Sequence, residues 1–475
     1  MKLIKNMGLS TIYQLIGVIV PLITAPYVSR VLGSSGVGIN AFTASVLSYF
    51  TLFAGLGIQT YGNREIAYHQ NDIKARTKLF WELQILQVLA SLIAILAFFI
   101  FLFFQNDNRF YYLLQAISLL TVIANISWFF MGLEHTHINV FRNIFINITV
   151  VIFTFILVKN SEDLWIYIAM TTGASLLANL SVWPFLKREL TKVKFKELNI
   201  HQHFVPALTL LLPQIATTAY MNINKTMLGW LDTNDSVGYF TQADVLVRTA
   251  FTAVSSFAGA FLPRLSNLFS QGKVKEGKKL ILQSLQLMYG MSFLAISGII
   301  GVSSNFAVFF FGEKFRSVGL LLVVESGVIL LFGIAVVLRS QYLMAVRRMR
   351  EITIASVAAL GVNILFNLPL IPLFGALGAT ITVVFTEAMV TLYLVWAVRK
   401  DFLYRDLFHG IWKYILAGAI TTSVVWIINN NMNMSVIAYI VQAISGTLVY
   451  VLAVYLFQAP IVQLVKNAFY SRRKK

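Results

Sequence analysis

Six charged residues lie inside long apolar runs of this sequence, where a charge is costly and usually faces a cavity. They are Lys225, Asp244, Arg248, Glu325, Arg339 and Glu387. Arginine suits phosphate because its planar guanidinium donates two parallel hydrogen bonds to the anion. Carboxyls such as those of Glu325 and Glu387 can bind and release protons. The set therefore includes a candidate intramembrane binding site for a charged group, with Lys225, Arg248 and Arg339 as its cationic members.

The spacing of these residues places several of them on common helix faces. Asp244 and Arg248 are one turn apart and can pair. Glu325 and Arg339 share a face and lie about 21 Å apart along a helix axis. A further face at helical spacing is formed by Gln214, Thr218, Met221 and Lys225, with Asn222 beside it. Two interpretations stay open: a wet, net-cationic cavity, or buried ion pairs and long side chains that reach the membrane surface.

Arg30 ends the first apolar run and is followed at once by a glycine-rich stretch, residues 33–38. The stretch resembles a phosphate-binding glycine loop. However, it lies between two apolar runs and not in a strand–loop–helix unit, which excludes a nucleotide site. We expect a short outer turn containing Gly33, Gly36 and Gly38. Arg30 is then either a phosphate ligand in the cavity or a side chain directed to the outer interface.

The elements that carry these residues are membrane-spanning helices. Of the 475 residues, 58% are hydrophobic and only 12% are charged, whereas a soluble protein carries about 25% charge. The sequence predicts an all-α polytopic membrane protein with about fourteen spans, the first two at 9–31 and 39–57 and the eighth at 237–262. The predicted inner segments hold about six times as many Lys and Arg residues as the outer turns, which places both termini in the cytoplasm.

Sparse internal matches indicate two related halves. Val37–Gly38 recurs as Val237–Gly238, Arg64 as Arg264, and Lys78 as Lys278, all with the same offset, and Leu32–Gly33 recurs as Leu228–Gly229. We expect two pseudo-symmetric six-helix lobes in the same orientation. The predicted parts are an N-lobe at 1–200, a C-lobe at 201–398, and two extra helices with a basic cytoplasmic tail at 399–475.

Composition and motifs argue against several function classes. The net charge of +18 follows from membrane topology and attraction to anionic lipid, so nucleic-acid binding is not needed to explain it. The sequence has no cysteine, and its histidine pairs, 135/137 and 201/203, lack a third ligand at useful spacing, so no metal site is expected. No hydrolase, protease or P-loop motif occurs, and the predicted outer turns are too short to hold a catalytic domain. We therefore predict no cofactor and no enzyme activity.

Three segments resemble a known family. SWFFMGLEHTHINVFRN (127–143) is similar to the W-F-x-G-x-E…R segment of bacterial polysaccharide repeat-unit flippases. YGNREIAYHQNDIKARTKLFWEL (61–83) resembles their first long cytoplasmic loop, and NLPLIPLFGALGATITVVFTE (367–387) resembles the signature of their eleventh and twelfth spans. The resemblance covers nearly the whole chain and points to the oligosaccharidyl-lipid branch of the multidrug/oligosaccharidyl-lipid/polysaccharide exporter superfamily.

This resemblance implies a lipid-linked oligosaccharide flippase of the bacterial cytoplasmic membrane, with two six-helix bundles around a V-shaped, alternating-access cavity. Its substrate would be an undecaprenyl-pyrophosphate-linked glycan for capsule, exopolysaccharide or another surface glycan, and membrane lipids, a polysaccharide polymerase and glycosyltransferases would be its partners. Coupling to protons, sodium or the membrane potential stays open. A cation-coupled multidrug exporter and a peptidoglycan lipid-precursor flippase are the alternatives, and a membrane glycan enzyme is disfavoured.

The related peptidoglycan-precursor flippases differ from this sequence at two points. Arg30 matches their R-x-x-G segment, but Asn40 stands where they carry an acidic residue. Where they read A-D-R, Ala243 and Asp244 are followed by Val245, and the arginine comes only at Arg248. These departures favour a capsule or exopolysaccharide repeat unit as the cargo over the peptidoglycan precursor. The further candidates for cavity or coupling residues are Asn40, Gln214, Asn222, Asp244, Glu325 and Glu387.

Overall fold

Helices account for nearly all of the structure. The computed structural model describes residues 2–259 and 261–473, with side chains described except at residues 2–19, 21, 136, 141, 257–259, 262, 263 and 467–473. No β-strand occurs in these residues, so the predicted all-α fold is confirmed. The helices form two compact units, Met1–Gly238 and Tyr239–Lys475. The predicted boundaries at 200 and 398 stay predictions.

The first unit contains nine helices and the start of a tenth, which continues into the second unit. They are α1 (Lys2–Gly55), α2 (Ile58–Tyr68), α3 (Ile73–Phe103), α4 (Arg109–Gln115), α5 (Ile117–Ala124), α6 (Ser127–Gly132), α7 (Thr136–Leu157), α8 (Leu164–Leu180), α9 (Phe204–Leu231) and α10 (Asn234–Gly259). Short 3₁₀ turns at Trp183–Arg188, Phe195–Glu197 and Ile200–His203 lie between α8 and α9. Within this unit, α9 packs along α1.

The second unit contains the remaining helices. They are α11 (Leu262–Ser270), α12 (Val274–Phe311), α13 (Val318–Ser326), α14 (Val328–Val336), α15 (Met349–Phe374), α16 (Ala376–Ala397), α17 (Tyr404–Leu407), α18 (Ile411–Asn431), α19 (Val436–Leu456) and α20 (Pro460–Arg473). A π-helical segment, Val337–Leu343, follows α14 directly. The most extensive packing here joins α15 to α16 and α12 to α18.

The chain is a multi-pass membrane protein. Its described residues contain 12 helical segments long and apolar enough to cross a bilayer. One of them, Leu22–Tyr68, includes residues of both of the first two predicted spans. The predicted eighth span corresponds to α10, which has 26 residues but is not among the twelve, because its polar residues lower its hydropathy. The prediction of about fourteen spans is therefore close but not confirmed.

The predicted outer turn at residues 33–38 is wrong in detail. Only Gly33, with φ 73° and ψ 179°, leaves the helical region, and α1 resumes immediately after it. Glycine adopts this backbone conformation without the steric clash that a Cβ would cause. Gly36 and Gly38 are helical, so their role is packing rather than chain reversal.

Gly38 and Gly238, two residues matched by the internal repeat, pack against each other's helices within the first unit. A Cβ on Gly38 would lie 1.7 Å from the carbonyl oxygen of Asn234, and a Cβ on Gly238 would lie 2.2 Å from that of Ser34. The Ser34 hydroxyl also hydrogen-bonds the Asp235 carboxylate. The contact is reciprocal: Gly38 packs on the backbone of Asn234, one turn before Gly238, and Gly238 packs on the backbone of Ser34, one turn before Gly38.

The W-F-x-G segment builds the aromatic core of the first unit. Trp128 is buried and stacks on Phe80 with ring centroids 5.7 Å apart. Gly62 leaves room for that indole, because a Cβ there would lie 2.5 Å from Cε3 of Trp128. Gly132 packs as closely on Ile66. These motif residues therefore serve packing, and they fix α6 against α2 and α3.

Candidate functional site

Asp244 and Arg248 form an ion pair on α10. Nε of Arg248 donates to Oδ1 of Asp244 one helical turn earlier. The Asp244 side chain is 5% exposed and that of Arg248 is 27% exposed, so the carboxylate is covered while part of the guanidinium stays accessible. The predicted pairing is confirmed. A partly open guanidinium retains donors for a second anion.

Arg248 also contacts Phe332 on α14 and interacts electrostatically with Glu325 on α13. Its Cζ lies 5.6 Å from the ring centroid of Phe332, a cation–π distance. Glu325, which is 1% exposed, interacts electrostatically with Arg248. One arginine thus lies in the field of two carboxylates and one aromatic face, which fixes its position and compensates its charge.

Arg339 lies in the π-helical segment, where the chain departs from α-helical geometry. The N–H of Met344 bonds the carbonyl of Arg339 at 3.0 Å, five residues back, as π-helical geometry requires. Nε of Arg339 is buried and has no hydrogen-bond partner in the described part of the chain. Such bulges often occur at functional sites, so Arg339 stays a candidate ligand.

The α15–α16 hairpin carries four buried polar residues, which together are called its polar cluster: Asn363, Asn367, Thr386 and Glu387. Asn363 and Glu387 lie equally far along the chain from Gly375, the residue between the two helices, and are therefore at about the same depth. Asn367 donates to Oδ1 of Asn363 at 2.8 Å. Nδ2 of Asn363 and the hydroxyl of Thr386 are buried without a partner among the described residues. The cluster offers amide, hydroxyl and carboxyl groups in an apolar setting.

Arg30 lies in the first unit on the turn of α1 that precedes Gly33, and its side chain is exposed. One turn earlier, the Tyr27 hydroxyl donates to the carbonyl of Val158 at 2.6 Å, and its ring packs on Phe155. These contacts fix α1 against the end of α7. Whether Arg30 lies in a cavity or at the outer interface stays a prediction.

Three predicted polar residues of the first unit are half-buried and hydrogen-bonded within that unit. Gln115 donates to Oδ1 of Asn40 at 3.0 Å, linking α4 to α1. Gln214 donates to the Thr60 hydroxyl at 3.1 Å, linking α9 to α2. Asn222 bonds back to its own helix at the carbonyl of Thr218. At least Asn40 and Gln214 therefore have a helix-packing role.

Lys225 is half-buried on α9 beside a hydroxyl cluster that joins α9 to α1. The Thr226 hydroxyl lies 3.0 Å from that of Ser45 and 3.3 Å from that of Tyr49. Hydrogen bonds between helices in an apolar solvent stabilise the pair modestly, by about 1 kcal/mol each. The cluster holds α9 at a defined rotation, which sets the direction of the Lys225 stem.

A buried polar triad at Glu82 was not predicted from the sequence. Oε2 of Glu82 lies 3.0 Å from Nε2 of His203, and Nδ1 of that ring lies 2.9 Å from the Tyr61 hydroxyl. Oε1 accepts the backbone N–H of Asn199 at 2.6 Å. The triad ties the segment before α9 to α2 and α3. A signal was available, because Glu82 is a carboxyl inside a predicted apolar run.

The site residues thus divide into two groups. In the second unit, Arg248 forms an ion pair with Asp244 and interacts electrostatically with Glu325. Glu387 belongs to the separate polar cluster of the α15–α16 hairpin. In the first unit, the predicted residues are distributed along α1 and α9. Among the described residues, no group of three or more His, Asp or Glu side chains is arranged to hold a metal ion. What the second-unit arrangement offers is an arginine whose counter-anion a substrate can replace.

Comparison with known proteins finds relatives and solved structures that are named as transporters or flippases. A relative from Escherichia coli (strain K12), named "Putative O-antigen transporter", is 23% identical over 408 residues, which cover 84% of this chain and 98% of the relative. A solved structure of a lipid II flippase, MurJ in an inward closed conformation, matches with a TM-score of 0.76 at 17% identity, covering 94% of this chain and 98% of that one.

A second solved structure shares the fold more distantly. An inward-facing multidrug resistance transporter of the MATE family and MOP superfamily matches with a TM-score of 0.61 at 14% identity, covering 80% of this chain and 95% of that one. At these identities the two structures establish the fold alone. The model of a family described as polysaccharide biosynthesis protein matches residues 3–269. That match spans more than half of the sequence, and the chain therefore belongs to the polysaccharide biosynthesis protein family.

Proposed function

We propose that this protein is a flippase that moves a polyprenyl-pyrophosphate-linked oligosaccharide repeat unit from the cytoplasmic to the outer leaflet. The observation that carries the proposal is the family match over residues 3–269. The name of the Escherichia coli relative, which contains "O-antigen transporter", supports the same class of cargo. Transport by alternating access, in the bacterial cytoplasmic membrane with both termini inside, completes the proposal.

The chemistry of the cargo explains why arginine is needed inside the membrane. A pyrophosphate cannot enter hydrocarbon without replacing its hydration shell, because burying an unpaired charge costs many kcal/mol. The partly accessible guanidinium of Arg248, held by Asp244 and Phe332, supplies replacement hydrogen bonds. Arg339, Lys225 and Arg30 are the further proposed phosphate ligands.

The polar cluster on the α15–α16 hairpin suits energy coupling. Glu387 is 4% exposed and lies at the depth of Asn363, and the oxygens of such groups bind either a proton or a small hard cation. We assign coupling to Glu387 and leave the identity of the ion to experiment. Glycosyltransferases and a polysaccharide polymerase act before and after such a transporter and are its proposed partners, and no catalytic step is assigned to this chain.

The test is to delete the gene and measure undecaprenyl-linked intermediates by mass spectrometry, then complement with variants. We expect the deletion and Arg248→Ala to accumulate a lipid-linked glycan and to lose the surface polymer. The matched control is Arg316→Ala, which breaks an exposed ion pair with Glu313 of similar local spacing. Immunoblots establish equal protein levels.

The outcomes separate the alternatives. A deletion that accumulates no lipid-linked glycan but sensitises cells to cationic drugs would identify a multidrug exporter. Accumulation of the peptidoglycan lipid precursor would identify the other flippase. If Arg248→Ala exports glycan like the wild type while the deletion does not, the flippase proposal survives and the phosphate role of Arg248 is wrong.

A further inference from the structure

A cavity in the first unit lies apart from all the intramembrane charges described above. It has a volume of about 660 Å³ and lies where the start of α7 meets the end of α8 and the 3₁₀ turn Trp183–Arg188. His135, His137, Arg142, Arg188 and Glu189 supply its charged or titratable lining. Two of its walls belong to segments predicted to face the cytoplasm. The aromatic packing of the W-F-x-G residues does not require these charged side chains.

The lining carries a surplus of positive charge. It contains two arginines against one carboxylate, Glu189. That carboxylate already binds Arg76, which lies outside the lining, with Oε2 2.8 Å from Nη2. Its remaining oxygen is 3.7 Å from Nδ1 of His135. The field in the cavity is therefore set by the guanidiniums of Arg142 and Arg188.

Arg142 is held in a fixed direction. Its Nη1 donates to Oδ1 of Asn179 on α8 at 3.2 Å, and its Nε and Nη2 donate to Oδ1 of Asn143. A guanidinium already held by two amide side chains loses little conformational entropy when it binds an anion. Arg188 is exposed at the rim and can close on the same ligand from the other side.

Apart from Ser181, the other lining residues are apolar, and they include an aromatic rim. Phe145 is 71% exposed and Phe185 is 47% exposed, whereas Phe130 forms a buried wall. Phe145 belongs to α7, one of the segments able to cross a membrane. An occupant that satisfies both parts of the lining has an anionic phosphate joined to a hydrocarbon chain.

We propose that this cavity binds the phosphate of an anionic membrane lipid, with Arg142 and Arg188 on the phosphate and Phe145 and Phe185 along the acyl chains. A soluble phosphate compound is the other source of the same anionic chemistry. The lipid would pin the start of α7 to the end of α8. The inference does not depend on the proposed transport function, since it concerns a different set of residues.

Native mass spectrometry of the purified, delipidated full chain tests the proposal. Phosphatidylglycerol, phosphatidylcholine and inorganic pyrophosphate are titrated in separate arms. The test variant is R142Q/R188Q. The matched control is K187Q/K192Q, which removes the same charge from exposed positions in and just after the same 3₁₀ turn that do not line the cavity.

We expect phosphatidylglycerol to bind the wild type about tenfold more tightly than phosphatidylcholine and about tenfold more tightly than it binds R142Q/R188Q. The control should bind like the wild type. Because Arg142 also joins α7 to α8, R188Q alone is measured as well, and a loss of about threefold is expected there. Equal affinity of phosphatidylglycerol for wild type, R188Q and R142Q/R188Q overturns the proposal. Pyrophosphate binding that R142Q/R188Q abolishes, without a preference for anionic lipid, overturns the lipid and assigns the cavity to a soluble phosphate.

Discussion

The crossing of α1 and α10 at Gly38 and Gly238 allows a quantitative prediction. A Cβ on Gly38 would lie 1.7 Å from the Asn234 carbonyl oxygen, about 1.6 Å closer than the roughly 3.3 Å at which carbon and carbonyl oxygen normally meet. The obstructing atom belongs to a helix backbone, so no side-chain rotation relieves the clash. Gly38→Ala must therefore push the two helices apart.

The energy of that separation follows from what the crossing contains. Overpacking a close contact costs about 1–3 kcal/mol, and the hydrogen bond between Ser34 and Asp235 would be strained or lost as well. We expect Gly38→Ala to destabilise the protein by about 2–3 kcal/mol, which for a chain of 475 residues corresponds to a fall in Tm of about 2–3 °C. Gly238→Ala meets the Ser34 carbonyl at 2.2 Å and should behave alike.

Thermal unfolding followed by tryptophan fluorescence measures the effect, since the chain contains 8 tryptophan residues. Gly55→Ala is the matched control, because it lies on the same helix and its added Cβ meets nothing within 4 Å. In the double variant Gly38→Ala/Gly238→Ala the second substitution should cost less than the first, because the helices are already separated. A Tm for Gly38→Ala equal to that of Gly55→Ala would refute the reasoning.

Three further predictions concern groups whose partners are defined. Glu387→Gln should express and fold normally but lose ion-driven transport, measured as glycan export across an imposed proton or sodium gradient; unchanged export removes Glu387 from coupling. His203→Ala leaves the buried Glu82 carboxylate without its ring partner and should lower stability by about 2 kcal/mol, whereas exposed His201→Ala should not, as thermal unfolding will record. Arg348→Ala loses a 2.7 Å ion pair to Asp401 and should increase hydrogen exchange at the start of α15; unchanged exchange would show that this pair contributes nothing there.

The sequence predicted the local features of the fold well because they depend on local physics. Apolar runs of membrane length depend on transfer energies that each segment carries by itself. The pairing of Asp244 with Arg248 was predictable for the same reason, since both residues lie on one helix with i, i+4 spacing. The span at α10 was also predicted, although the polar residues that define its face lower its mean hydropathy and leave it outside the twelve segments.

Partners on distant segments could not be predicted in this way. Nothing in local periodicity pairs Gln115 with Asn40, or Glu82 with His203, because each choice depends on how helices rotate once they pack. The glycine stretch was misinterpreted for a related reason. A glycine between two apolar runs favours a turn, and only the crossing of α10 reveals that Gly38 is needed for close approach.

Under the proposed transport function, the compensated charge of Arg248 has a consequence for cargo release. Because Asp244 already accepts its hydrogen bond and Glu325 adds negative charge nearby, a phosphate that binds Arg248 must compete with a carboxylate of the same chain. Such competition lowers affinity, but it also prevents a buried arginine from standing uncompensated after the phosphate leaves, which would cost about 3–5 kcal/mol. A transporter has to release its cargo in every cycle, so an exchangeable internal anion suits it better than an unopposed cationic site, which would bind pyrophosphate tightly and retain it.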